Sequence, residues 1–128
     1  MRTRKISIIL CTYNGEAYLR EQINSLLAQT YPFYELIVQD DCSTDGTGHI
    51  VHTYREQYPD RNIHFYVNPR RLGFNRNFLT ALQRATGEYI ACCDQDDIWL
   101  PDKLETLMRE IGDSPLIFHN SYVMDGSP

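Results

Sequence analysis

Apolar, β-branched runs alternate with segments of helical hydrophobic spacing along almost the whole chain, and no other feature limits its fold as tightly. Residues 6–11 read as a first strand. Asn14-Gly15 turns the chain, after which Leu19, Ile23, Leu26 and Leu27 recur at the spacing of a helix that Thr30-Tyr31-Pro32 stops. Residues 34–39 form a second strand ending at Asp40-Asp41. Ser43, Thr44 and Asp45 then offer capping side chains to a helix that carries Ile50, Val51, Tyr54 and Tyr58 and is closed by Pro59. Residues 63–67 are a third strand, and Phe74, Phe78, Ala81, Leu82 and Ala85 trace a helix ended by Gly87. A fourth strand at 89–93 precedes a helix opened by Pro101, marked by Leu104, Leu107, Met108 and Ile111, and stopped by Gly112. Residues 116–118 begin another strand.

Strands joined through helices pair in parallel by right-handed crossovers. The expected architecture is therefore an α/β fold, an open and largely parallel sheet with helices on both faces. Ligands of such sheets gather at the C-terminal ends of the strands. Here that edge holds the polar loops 12–16, 40–43, 68–71 and 94–97.

A chain of 128 residues suits one domain with a real core, and 42% apolar and 23% charged residues describe a globular one. A net charge of -5 and a pI near 5.2 argue against a nucleic-acid binder, for which Arg70-Arg71 is too small a footprint. No run approaches the roughly 18 apolar residues of a membrane span, and the apolar run after Lys5 is too short for a signal peptide. The expectation is a cytoplasmic protein without a membrane span. Cys11, Cys42, Cys92 and Cys93 lack C-x-x-C spacing and read as buried, reduced thiols.

The sequence Cys93-Asp94-Gln95-Asp96-Asp97-Ile98-Trp99 puts three carboxylates into four residues directly after the fourth strand. Carboxylates this close repel unless a cation or hydrogen-bond donors neutralise them. Asp94 and Asp96, on one side of an extended segment, are hard oxygen ligands of the kind Mg2+ and Mn2+ take when they also hold a nucleotide diphosphate. A solvated acidic turn leading into a helix has the same pattern. The chain carries neither G-x-G-x-x-G nor G-x-x-x-x-G-K-[ST], which sets aside dinucleotide-binding and P-loop chemistry, while Asp40-Asp41 leaves a receiver-like acidic pocket as a minor alternative.

Several segments, in order and at matching intervals from about Lys5 to Asp125, carry a resemblance. They are Ile6-Ser7-Ile8-Ile9-Leu10-Cys11-Thr12-Tyr13-Asn14-Gly15, Ser25-Leu26-Leu27-Ala28-Gln29-Thr30-Tyr31-Pro32, Asp40-Asp41-Cys42-Ser43-Thr44-Asp45-Gly46-Thr47, Gly87-Glu88-Tyr89-Ile90 and Asp94-Gln95-Asp96-Asp97. Together they resemble the family 2 glycosyltransferases of the GT-A fold. Asp94-Gln95-Asp96-Asp97-Ile98-Trp99-Leu100-Pro101, with Asn75-Arg76-Asn77-Phe78 upstream, is most similar to the rhamnosyltransferase-like branch that builds bacterial surface polysaccharides.

The resemblance implies inverting transfer of a sugar from a nucleotide diphosphate sugar, dTDP- or UDP-linked, to a hydroxyl of a saccharide or lipid-linked acceptor. It implies that Cys11, Thr12, Tyr13, Asn14 and Glu16 line the nucleotide pocket and that Asp41 meets the base. Asp94 and Asp96 become the D-x-D pair, Asp96 the metal contact for Mg2+ or Mn2+ and Asp94 nearer the ribose or sugar, with Gln95 between them also binding the nucleotide sugar. Many relatives have Pro where Cys11 stands and a different segment around Arg76, so the sugar-side role of Arg76 stays open. The family's general base lies beyond residue 128. Residues 1–128 thus resemble a single, truncated donor-binding portion without the acceptor-binding half. Apolar sheet surface at Leu116, Ile117 and Phe118 then predicts self-association. A nucleotide-sugar-binding module that does not catalyse is the alternative, and the cytoplasm is the expected working place, with the inner face of the membrane as an option within it.

Overall fold

The computed structural model describes residues 4–94 and 97–111, and the backbone of 117–118 and 123–124. Strands β1 (Ile6–Thr12), β2 (Glu35–Asp40), β3 (Ile63–Val67), β4 (Tyr89–Cys93), β5 (Ile117–Phe118) and β6 (Val123–Met124) form one sheet in the order β3-β2-β1-β4-β5-β6. Every pairing is parallel except β5 with β6. Helices α1 (Leu19–Leu27), α2 (Thr47–Gln57), α3 (Phe74–Arg84) and α4 (Lys103–Ile111) make the connections, and a short 3-10 helix, Pro59–Arg61, follows α2.

Alternation along β1 divides the core. Ile6, Ile8 and Leu10 face α1, α2 and α4 through Leu19, Ile23, Leu26, Ile50, Val51 and Leu104, all at most 2% exposed. Ile9 and Ile37 point to the other face, where Ala81 of α3 covers them. Both faces therefore carry helices, as expected, but of the four described α-helices three sit on one side and one on the other.

The expected elements formed, with shifts that have local causes. Of the expected capping residues, Asp45 alone serves α2, its Oδ1 accepting from the Thr47 N–H at 3.0 Å; Ser43 bonds Asp40 and Thr44 bonds Asn14. Pro101 stands before α4 rather than opening it, and its carbonyl accepts from the Thr30 N–H at 2.8 Å. Gly87 does not cap α3, which ends at Arg84 with Ala85 extended. A Cβ at Gly87 would stand 2.7 Å from Ser7 Oγ and 2.8 Å from the Lys5 carbonyl, so the residue is small because β1 passes against it. The expected stop at Gly112 and the apolar side chains proposed for self-association lie outside the described residues.

In this strand order the chain leaves β1 toward β2 on one side and returns to β4 on the other. The crevice between the ends of β1 and β4 is the switch point at which sheets of this class bind ligands.

Candidate functional site

A cleft of about 160 Å3 opens at that switch point. β1 brings Cys11, Thr12 and Tyr13 to it, the end of β2 brings Asp41, and β4 brings Cys92, Cys93 and Asp94. Arg71 and, on α3, Phe74, Asn77 and Phe78 close the opposite side. The volume is below the roughly 300 Å3 at which pockets begin to enclose whole small ligands, so a larger ligand extends beyond the cleft or moves part of its wall.

Asp40 fixes the floor. Thr12 Oγ1 and Ser43 Oγ both donate to its Oδ1 at 2.6 Å, and the Ser43 N–H donates to Oδ2 at 2.8 Å. The loop after β1 is then zipped to the loop after β2: the Asn14 N–H donates to Ser43 Oγ, the Gly15 N–H to Thr47 Oγ1 and the Glu16 N–H to Asp45 Oδ2. Asn14 Oδ1 and Glu16 Oε1 accept in return from the Thr44 and Gly46 N–H groups. Asn14 and Cys42 both hold positive φ, 49° and 63°, at the bends this zipper requires.

Asp41, 3% exposed, is engaged on both oxygens. Oδ1 accepts from the Leu72 N–H at 2.7 Å and Asn68 Nδ2 at 3.0 Å; Oδ2 accepts from the Gly73 N–H at 3.0 Å and Arg71 Nε at 3.1 Å. Burial pushes this carboxyl up, but the Leu72, Asn68, Gly73 and Arg71 donors together outweigh it and hold it below its ordinary value. The Arg71 guanidinium also lies over the Tyr13 ring, 3.6 Å from its centroid. One cation thus packs on one face of the Tyr13 ring and completes the cleft's buried anion.

Asp94 leaves β4 half-buried in the cleft wall. Gln22 of α1, 1% exposed, donates through Nε2 to the Asp94 carbonyl at 2.5 Å and so fixes where the acidic loop begins. The Cys11 and Cys92 thiols beside it are pushed up to about 12, first by burial and then by neighbouring groups that include the Asp94 charge. That leaves both thiols protonated at neutral pH, so neither is a ready nucleophile.

Of the residues singled out from sequence, Cys11, Thr12, Tyr13, Asp41 and Asp94 meet in the cleft. Asn14 and Glu16 brace its loops instead of lining it. Arg76 is exposed on α3 outside the lining, and Gln95 and Asp96 fall outside the described residues. Sequence reasoning placed Asn68 and Arg71 in a loop at the ligand edge and Asn77 beside Arg76, but gave none of the three a role. Asn77 had a readable signal, a polar residue four before Ala81 on the buried stripe of α3.

The whole arrangement sits inside a single family match: residues 7–125 fit the model described as "Glycosyl transferase family 2". The chain belongs to this family. It is 35% identical over 127 residues, 96% of its length, to TuaG of Bacillus subtilis, a glycosyltransferase named for teichuronic acid biosynthesis, of which it covers 50%. Among solved structures it resembles S. aureus TarS 1-349 in complex with UDP, at 34% identity and a TM-score of 0.77, covering 88% of this chain and 33% of that one. The mannosyltransferase PcManGT of Pyrobaculum calidifontis, in complex with GDP-Man and Mn2+, aligns at 30% identity and a TM-score of 0.82, covering 88% and 34%. The sheet and helices of this family 2 chain are those of the GT-A fold. The chain spans half the length of TuaG and about a third of either solved chain.

Proposed function

We propose that this chain binds the nucleotide sugar for a glycosyltransferase of surface-polysaccharide synthesis, with a UDP- or dTDP-sugar as donor and a saccharide or lipid-linked hydroxyl as acceptor. The observation that carries the reading is the meeting of Tyr13, Asp41 and Asp94 in one cleft at the switch point of a family 2 chain. The aromatic face suits a base and the Asp94 end suits the diphosphate. The UDP and the GDP-Man held by the solved relatives support nucleotide-sugar binding, and the UDP of one of them supports a pyrimidine base.

The residues present fit a divalent cation. Asp94 is a hard oxygen ligand in the cleft wall, and its charge acts on the neighbouring thiols, a negative field that a cation would meet. Among the described residues no three ligating side chains converge, and Asp96 is the second donor this reading assigns. Mg2+ or Mn2+ held by Asp94 and Asp96 would neutralise charge developing on the departing diphosphate. The chain's own residues bind and orient. Tyr13 stacks with the base, the zippered loops keep Thr12 and Tyr13 in place, and Gln22 holds the start of the acidic loop. Together they aim the anomeric carbon for in-line attack with inversion.

Calorimetry with UDP, dTDP, GDP and dTDP-rhamnose, with and without Mn2+, tests the reading. Micromolar, metal-strengthened binding of a uridine or thymidine diphosphate that is lost in Asp94→Ala is expected. Metal-insensitive binding that is unchanged in the variant, or equal binding of purine nucleotides, overturns it. A transfer assay with the donor so identified separates a catalytic chain from a binding module.

A further inference from the structure

Behind the cleft, on the α3 face of the sheet, three amide side chains are buried beside the apolar cluster of Ile9, Ile37 and Ala81. Gln39 is 1% exposed, Asn77 3% and Asn68 4%. Burying three amides where aliphatic side chains would pack calls for every polar atom to be satisfied, and here the bonds run as one directed chain. Arg84 Nε donates to Gln39 Oε1 at 3.0 Å, and Gln39 Nε2 donates to Asn68 Oδ1 at 2.7 Å. Asn68 Nδ2 donates both to Asn77 Oδ1 at 2.7 Å and to Asp41 Oδ1 at 3.0 Å. Asn77 Nδ2 closes a loop on the Gln39 carbonyl at 3.1 Å.

The two ends leave this chain one polarity. A guanidinium can only donate and an ionised carboxylate can only accept, so each amide between Arg84 and Asp41 has a single orientation in which all bonds are made. Arg84 is itself seated, its guanidinium 3.7 Å from the centroid of the Tyr66 ring. At the other end, Asp41 holds the Leu72 and Gly73 N–H groups and Arg71, and Arg71 lies on Tyr13.

We propose that the Arg84–Gln39–Asn68–Asn77 chain is the positioning device for the base end of the cleft, with Gln39 relaying the polarity from Arg84 to Asn68. The proposal rests on the nucleotide-binding reading above. Gln39 and Arg84 do not line the cleft, so they are positioning residues that act through Asn68 and Asn77 on Asp41 and the 71–73 loop. The competing role is a plain staple between β2, β3 and α3, which would set stability and leave ligand recognition alone.

Gln39→Glu separates the two. It keeps shape and gives Arg84 a better acceptor, but removes the donor to Asn68. Asn68 Oδ1 then faces a carboxylate oxygen in place of a donor, and that repulsion is relieved only by displacing or reversing the amide, either of which weakens its bond to Asp41 and loosens the 71–73 loop. Gln39→Met breaks the chain without reversing it. In the full chain, UDP affinity and the thermal midpoint are measured for wild type and both variants, with hydrogen exchange of the Leu72 and Gly73 amides. The expected result is at least a tenfold loss of UDP affinity in Gln39→Glu, a smaller loss in Gln39→Met, and faster exchange in the same order. Thermal midpoints should not follow that order. Affinities within twofold of wild type, or losses that simply track the midpoints, overturn the proposal. If wild type binds no nucleotide, the functional reading above fails on its own. Exchange then decides the device: unchanged Leu72 and Gly73 protection in Gln39→Glu overturns it, and selective loss there upholds the positioning of the loop.

Discussion

Thr12 and Asp40 stand opposite each other in the parallel β1–β2 register, and the Thr12 hydroxyl donates to the Asp40 carboxylate at 2.6 Å. The same oxygen takes the Ser43 hydroxyl, which accepts the Asn14 N–H in turn. Two strands and the loops that leave them are thereby tied through one buried carboxylate, and Tyr13 is placed between the ties.

Replacing Thr12 by Val keeps the β-branched shape and deletes the hydroxyl. Because Asp40 keeps both bonds from Ser43, the cost is the modest one of a single buried hydrogen bond, about 1–2 kcal/mol. Urea unfolding of Thr12→Val against wild type measures it, and no shift in midpoint would mean that Ser43 alone holds the carboxylate.

Asp41 links the cleft to acid stability. Its carboxyl titrates below the ordinary value of 3.8 in the folded chain, so its contribution is complete above that value and is lost as pH falls through the folded one. Asp41→Asn turns an NH2 group toward donors and costs about 1.5–3 kcal/mol at neutral pH, where the wild-type anion is fully formed. Denaturation at pH 7 and again near pH 3 should show wild type and variant converging in acid. A gap that stays constant across that range would remove the carboxylate from the account.

Strand and helix order was legible because apolar period and turn residues agree along the chain. Ile63–Val67 and Tyr89–Cys93 begin and end where their apolar runs do. The cleft was legible in part, since Tyr13, Asp41 and Asp94 are chemical residues at strand ends. What Asp41 touches was not legible. Its partners come from 27 to 32 positions away in sequence, two of them backbone N–H groups with no side-chain signature. The stacking of Arg71 on Tyr13 was hidden for the same reason: an Arg-Arg pair in a loop announces charge, not the ring it will meet. Gly87 was read as a helix stop because that is glycine's commonest signal after an apolar stripe, and only tertiary contact with β1 shows its use.

Tyr13→Ala should weaken UDP binding by about 1–3 kcal/mol, the range for losing an aromatic platform under a base. Tyr13→Phe keeps the ring and should bind within about twofold of wild type, because no hydrogen bond from the Tyr13 hydroxyl is needed to seat Arg71. Calorimetry on both variants checks this. Equal losses in Phe and Ala would show that the hydroxyl, not the ring face, meets the ligand.

Gly73 and Gly87 offer a last contrast, because the same substitution should harm the chain for different reasons at opposite ends of the sheet. Gly73 holds φ 87° and ψ 166°, a region essentially closed to other residues, although no neighbouring atom within 4 Å would meet its Cβ. Gly87 has no positive φ, and a Cβ there would run into Ser7 Oγ and the Lys5 carbonyl. Alanine at either position should cost about 1–3 kcal/mol, by backbone strain in one case and overpacking in the other. Only Gly73 donates its N–H to Asp41 at the base end of the cleft. Gly73→Ala should therefore lower both the thermal midpoint and UDP affinity, whereas Gly87→Ala should lower the midpoint alone, measured at a temperature where both variants are folded. Equal affinity losses in the two would mean that the cleft responds to global stability and not to the geometry of the 71–73 loop.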